Sequence, residues 1–447
     1  MTILLLGAGA VTGALGTRAA TLLFIGAGIV GARGATLPAA AVWTAATAAG
    51  LAAMSASPRR LALPVLGASA ALGAGSARNS AVVLALWVIA TAAAVLHRGD
   101  GRQASRWALT LCAADLPVAA AVVWTAFGAG FEGWPLQLDG IAVVLLLIAA
   151  IVRAPLGSGP EDAQQEPGLL TVRTQTAVLV LVAVGATDIS RDVLVGAAIA
   201  GAAVYAIGGS AARPATRDVV QESGLLLTVV AAARLGWVPP GWEWGVLAGG
   251  TLMHNLRLRD DGSRISVLAG QILDGGGIGL PLLPGVLVAL EGSARARGWQ
   301  GVLLMLAIVV GLWARAARWR GRLARPRTQP GPGWAGWTTA ALFAGTVLAG
   351  LWASVLTRPR PPAGGSVAWP PAWGLGLVVL AGAAAGVLGL RGRVATYAAP
   401  GSPRVPSVPD LGLPDRWARP AAVSGALGVL GTLAVLNWVA GVFRGFL

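Results

Sequence analysis

The sequence predicts an all-α, polytopic membrane bundle of about fourteen transmembrane helices, at least one of them broken. Three observations carry this. The chain of 447 residues is 56% hydrophobic and only 11% charged, where a soluble domain averages about 25% charged residues. Apolar runs able to cross a bilayer recur from one end to the other. The short alternating segments that a transmembrane β-barrel requires are missing.

The first run, 3–16, lacks a charged leader and is followed by further spans, so it reads as a retained helix and not a cleaved signal. Runs at 20–33, 37–55, 61–76 and 80–97 follow it. Run 106–128 carries Asp115 within LTLCAADLPVAAAVVW, run 138–154 ends near Arg153, and run 168–188 opens with Arg173. A polar, proline-bearing linker, 155–167, joins the last two. Next come 191–209, 218–236 and 243–257. Run 264–292 contains Asp274-Gly275-Gly276-Gly277 and then Pro281 and Pro284. An interruption of this kind breaks a membrane helix, and the freed backbone groups need partners inside the protein or water. Runs 298–316, 334–356, 369–390 and 420–443 complete the set. The proline-rich stretch 398–419 reads as a connector lying along the membrane surface. Abundant glycine, 64 residues in all, permits close helix packing.

The formal net charge is +15, and all 33 basic residues are arginine. Most lie in short segments between apolar runs. The densest cluster, RAARWRGRLARPR from Arg315 to Arg327, reads as a cytoplasmic loop under the positive-inside rule, with anionic lipids as its partners. No basic, aromatic-laced soluble domain is present, so nucleic acid is not an expected partner. Cys112 is the only cysteine, and His97 and His254 are the only histidines. That excludes a disulfide framework and a cysteine metal site, and no cofactor or metal is expected.

The charges within apolar runs are the functional signal. A cation in the middle of a span costs roughly 2.5 to 3.5 kcal/mol on insertion scales, and such residues face a bundle interior or a polar path. Ionisable residues in or beside the runs are Asp115, Arg153, Arg173, Asp188, Arg213, Arg217, Asp218, Glu222, Arg234, His254, Arg257, Asp274 and Glu291. Asp115, Arg153, Arg173 and Glu222 lie deepest. Any one of them alone could be a helix-end residue reaching the interface. As a series they point to one polar axis, with Asp115 paired to Arg153 or Arg173, because buried charges need partners.

The order of these motifs resembles the antiporter-like membrane subunits of respiratory complex I, related to cation/proton antiporters and membrane-bound hydrogenases. Asp115-Leu116-Pro117 falls where that family has a glutamate, and Arg153-Ala154-Pro155 is similar to its lysine before a proline. Gly159-Pro160-Glu161-Asp162-Ala163, running to Glu166-Pro167, resembles its loop, and Arg173 stands where a second lysine or histidine is placed. Arg213 with Gln221-Glu222-Ser223-Gly224, Leu252-Met253-His254-Asn255, and Gly279-Leu280-Pro281-Leu282-Leu283-Pro284-Gly285 are similar to three later motifs. The resemblance covers roughly 105–295. It implies N-terminal helices over 1–104, an antiporter-like core over 105–295, and C-terminal helices over 296–447.

It further implies a multi-pass subunit of the bacterial plasma membrane, partnered by other membrane subunits of a multi-subunit complex. A proton path or central polar axis would use Asp115, Arg153, Arg173, Glu222, His254 and Glu291. No catalytic centre is expected in the chain itself. The departures qualify this. The family's last lysine would fall at Ala289, and every other lysine position is arginine or apolar. A buried lysine can exchange its proton in the working range, whereas arginine cannot. The reading is therefore a degenerate member, structural or weakly proton-conducting. The alternative is a stand-alone secondary ion or solute transporter, since broken helices with charges at depth also build such sites. A third class, a lipid-phosphate transferase using Asp260 and Asp261 with Mg²⁺, would need paired acidic motifs; only this one is present, and it reads first as a solvated loop.

Overall fold

The computed structural model describes residue 23 and residues 58–97, 101–135, 137–157, 168–186, 189–211, 214–238, 243, 246–247, 250, 282–296 and 298–322. Among these every regular element is helical. The helices are α1 (Pro58–Ser76), α2 (Ser80–Leu96), α3 (Gly101–Ala129), α4 (Gly140–Gly157), α5 (Leu169–Gly185), α6 (Arg191–Gly209), α7 (Pro214–Arg234), α8 (Leu283–Arg295) and α9 (Trp299–Arg322). Glu243, Val246, Leu247 and Gly250 are also helical and lie between α7 and α8.

Local chemistry sets many of the boundaries. Asn79 caps α2, its Oδ1 accepting from the amides of Ala81 at 2.9 Å and Val82 at 3.3 Å. Ser190 caps α6 by accepting from the Val193 amide at 3.3 Å, and Asp192 adds negative charge to the first turn. Asp139 serves α4 by accepting from the Ala142 amide at 2.8 Å, while its other oxygen takes the indole N–H of Trp124 on α3. Positive φ at Gly130 (79°) and Gly236 (70°), just past α3 and α7, is a conformation that glycine adopts without a Cβ clash.

The core centres on α5. Leu169 to Leu181 are all buried, as are Ala183 and Val184, so this helix is enclosed on every side. It packs against α1, α2, α4 and α7. Thr171 ties it to α1 by donating to the Pro64 carbonyl at 3.0 Å. α6 and α7 pack closely, because Gly201 and Gly224 face each other. A Cβ on Gly201 would lie 2.7 Å from the Gly224 carbonyl oxygen. The outer face of α9 is the reverse, with Trp299, Val302, Leu303, Met305, Leu306, Val309, Val310 and Trp313 all exposed. Such a face suits lipid.

Among the described residues, Ala108–Ala129 in α3 and Arg191–Gly209 in α6 are long and apolar enough to cross a membrane, and five other apolar helices are shorter. The expected total of about fourteen spans draws on segments outside the described residues. So do the surface connector 398–419, the glycine-rich Asp274 segment, Asp260 and Asp261, and His254. α8 begins at Leu283, inside the long 264–292 run, with Pro284 in its first turn, where a missing N–H costs nothing. Several boundaries differ from expectation. α4 continues to Gly157, three residues into the expected linker, and α9 continues to Arg322, so the first part of the arginine cluster is helix and not loop.

Candidate functional site: buried arginine–carboxylate pairs

The first pair joins α3 and α4. Arg153 Nη1 donates to Asp115 Oδ1, forming an ion pair in which Arg153 is fully buried and Asp115 is 17% exposed. α2 supplies the rest of the shell. Trp87 and Thr91 are one turn apart, so both side chains face α3. The indole N–H of Trp87 donates to Asp115 Oδ1 at 2.8 Å, and the Thr91 hydroxyl donates to Oδ2 at 2.7 Å. Arg153 Nε donates to Gln175 Oε1 at 3.0 Å, and Nη2 donates both to that oxygen and to Thr91 Oγ1. Gln175 Nε2 completes Thr91 by donating to its oxygen at 3.2 Å. Thr91 thus gives one hydrogen bond and takes two, its full complement. The guanidinium carbon also lies 5.3 Å from the Trp87 ring centroid, within cation–π range.

The second pair joins α5 and α7. Arg173 Nε donates to Glu222 Oε2 at 2.6 Å, and Nη2 donates to Oε1 at 2.7 Å. This two-pronged geometry matches the planar guanidinium to the carboxylate. Nη2 also donates to the Leu247 carbonyl at 2.8 Å. Both side chains are 4% exposed. Arg173 and Gln175 sit two positions apart on α5, roughly 200° around the helix. One helix therefore serves both pairs from opposite faces.

A third pair lies farther along α7. Arg315 Nη2 of α9 stands 3.0 Å from Asp218 Oδ1, and Nη1 donates to Gln221 Oε1 at 2.7 Å. Arg315 is 1% exposed. Here the cytoplasmic-loop reading of Arg315 is corrected. The residue opens a run with loop-like composition, but an aspartate and a glutamine on α7 hold it in the core. Arg217, next to Asp218, is buried as well.

Of the six residues expected on the axis, the structure brings four together as two pairs, Asp115 with Arg153 and Arg173 with Glu222. Glu291 takes a local partner instead, Arg295 one turn on in α8 at 2.6 Å, and both are partly exposed. His254 falls outside the described residues. Trp87, Thr91, Gln175, Gln221 and the Asp218–Arg315 pair were not expected at the site. The neutral members carry no insertion penalty that would mark them in an apolar run. Asp218 carried a signal, lying one turn before Glu222 on the same helical face.

Chemically, the arrangement stores fixed charge. Each carboxylate is matched by a guanidinium that keeps its proton. The threonine hydroxyls of α5 are turned to backbone: Thr174 donates to the Leu170 carbonyl at 2.8 Å and Thr176 to the Val172 carbonyl at 2.9 Å. Among the described residues no three His, Cys, Asp or Glu side chains converge as a metal ligand set.

Fold and site together define a helical bundle whose core is crossed by paired arginines and carboxylates. No protein-family model and no curated protein matches the chain. Its fold, however, is similar to that of a chain in respiratory complex I from Thermus thermophilus with bound aureothin. The TM-score is 0.60 at 16% identity, over 80% of this chain and 98% of that one. A chain of the Mrp complex from Dietzia sp. DQ12-45-1b is also similar, with a TM-score of 0.53 at 14% identity, over 92% of this chain and 55% of that one. At these identities the likeness is one of fold. At that level it bears out the resemblance to the antiporter-like membrane subunits of complex I.

Proposed function

We propose that the chain is a membrane-arm, antiporter-like subunit of a complex I-like, redox-driven assembly in the bacterial plasma membrane, in which fixed arginine–carboxylate pairs replace the lysine relay. Its role is structural, or at most weakly proton-conducting. The observation that carries this reading is the pairing itself. Arg153 and Arg173 are buried at the positions where the sequence resemblance places a lysine and a second lysine or histidine, and each is paired with a carboxylate, Asp115 at the family's glutamate position and Glu222 on α7. Guanidinium groups hold those charges in place but do not pass a proton on. Other membrane subunits are its partners, and anionic lipids meet the arginine-rich segment that follows Arg315.

The fold likeness to chains of two multi-component complexes supports a subunit over a solitary transporter. The test is extraction in mild detergent with an affinity tag on this chain. Co-purification of further membrane proteins together with peripheral redox subunits is the expected result. Recovery of this chain alone, or as a homo-oligomer that moves an ion or solute unaided, would establish the transporter reading instead.

A further inference from the structure

We infer that Arg315 is a positioning residue for the buried axis: from α9 it holds α7 in the register that presents Glu222 to Arg173. Glycine sets how closely α9 approaches. Gly209 of α6 and Gly311 of α9 meet backbone to backbone, since a Cβ on Gly209 would lie 3.1 Å from the Gly311 carbonyl carbon. A Cβ on Gly311 would in turn lie 2.5 Å from the Tyr205 ring. Nothing larger than glycine fits at either place without movement, so α9 sits unusually close to α6. Arg315 is one turn beyond Gly311, and this approach carries its side chain past α6 to α7.

There the guanidinium grips two positions. Asp218 is one turn before Glu222, and Gln221 is its immediate neighbour. Gln221 is itself anchored, its Nε2 pointing at the carbonyls of Tyr205 on α6 and Gly311 on α9, each at 3.4 Å. Three helices thus converge on a single amide side chain. Glu222 leaves α7 about 100° away from Gln221, toward α5, where Arg173 takes both its oxygens. The turn of α7 from 218 to 222 is held from two sides by two guanidinium groups on different helices. Sliding or rotating α7 to relax one contact would break the other. The planar fork of arginine serves this geometry, because it engages an aspartate and an amide together, which a lysine point charge cannot do.

The inference concerns the geometry of Glu222 and holds whether or not the assembled protein moves protons. Its test uses the full chain, purified in detergent and exchanged into lipid nanodiscs. Infrared difference spectra against Glu222→Gln isolate the Glu222 carboxylate bands. These bands are expected to shift in Arg315→Lys, which keeps the buried charge and is the variant least prone to misfold, and to shift further in Arg315→Ala. Glu222 bands unmoved in Arg315→Lys would overturn the assignment, even if the variant were less stable, because Arg315 would then only pack α9 against the bundle.

Discussion

At the residue scale, the protein manages its buried cations by pairing and by saturation. Arg153 spends its donors on Asp115, Gln175 and Thr91, and none of these partners is spare. Removing one charge from such a pair leaves the other buried and unmatched, which costs about 3–5 kcal/mol. Asp115→Asn is therefore expected to destabilise the protein by about that amount in an unfolding titration, while Asp115→Asn combined with Arg153→Met recovers most of the loss. A double variant no better than Asp115→Asn alone would show that the pair is not the unit. Arg173→Lys keeps the charge but gives up the two-pronged contact with Glu222, so a loss of about 1–3 kcal/mol is expected, smaller than for Arg173→Ala. Asp115, Arg153, Arg173 and Glu222 were legible in the sequence because a charge inside an apolar run is conspicuous. Thr91, Gln175 and Gln221 were not, because a neutral side chain acquires its role only when distant helices meet. Arg315 was misread because its chain neighbours are arginine-rich, while its burial is decided by residues of α7.

At the element scale, the apolar runs located the helices well. The run 191–209 coincides with α6, and the starts and ends of α2 and α5 agree to within a few residues. Composition was a poorer guide where a helix continues into polar sequence. α3 begins at Gly101 and α9 ends at Arg322, both within charged stretches, because backbone hydrogen bonding proceeds regardless of side-chain polarity. Glycine decides how closely the helices approach. Gly201→Ala would drive a methyl group against the Gly224 carbonyl and Thr228, and overpacking of this kind costs about 1–3 kcal/mol. Gly128→Ala meets nothing within 4 Å and is the matched control. Thermal unfolding of the two variants side by side should lower the midpoint for Gly201→Ala and leave Gly128→Ala near the parent, or slightly above it. Equal midpoints would mean that α6 and α7 are not held at the spacing described.

At the scale of the whole molecule, the three pairs run from α3 to α9 through the enclosed helix α5. Each pair is electroneutral, so the core carries charge without a large net charge. That architecture ties the helices together across an apolar interior. The central claim is that these pairs hold helices in place and do not relay protons. It is tested most directly by proton translocation in proteoliposomes of the co-purified assembly, comparing the parent with the charge-neutral variant Asp115→Asn/Arg153→Met. The account predicts that, once redox turnover and subunit content are matched, the protons moved per electron pair are unchanged. A lower ratio in a fully assembled complex would contradict it and would make the Asp115–Arg153 pair a working part of a pump.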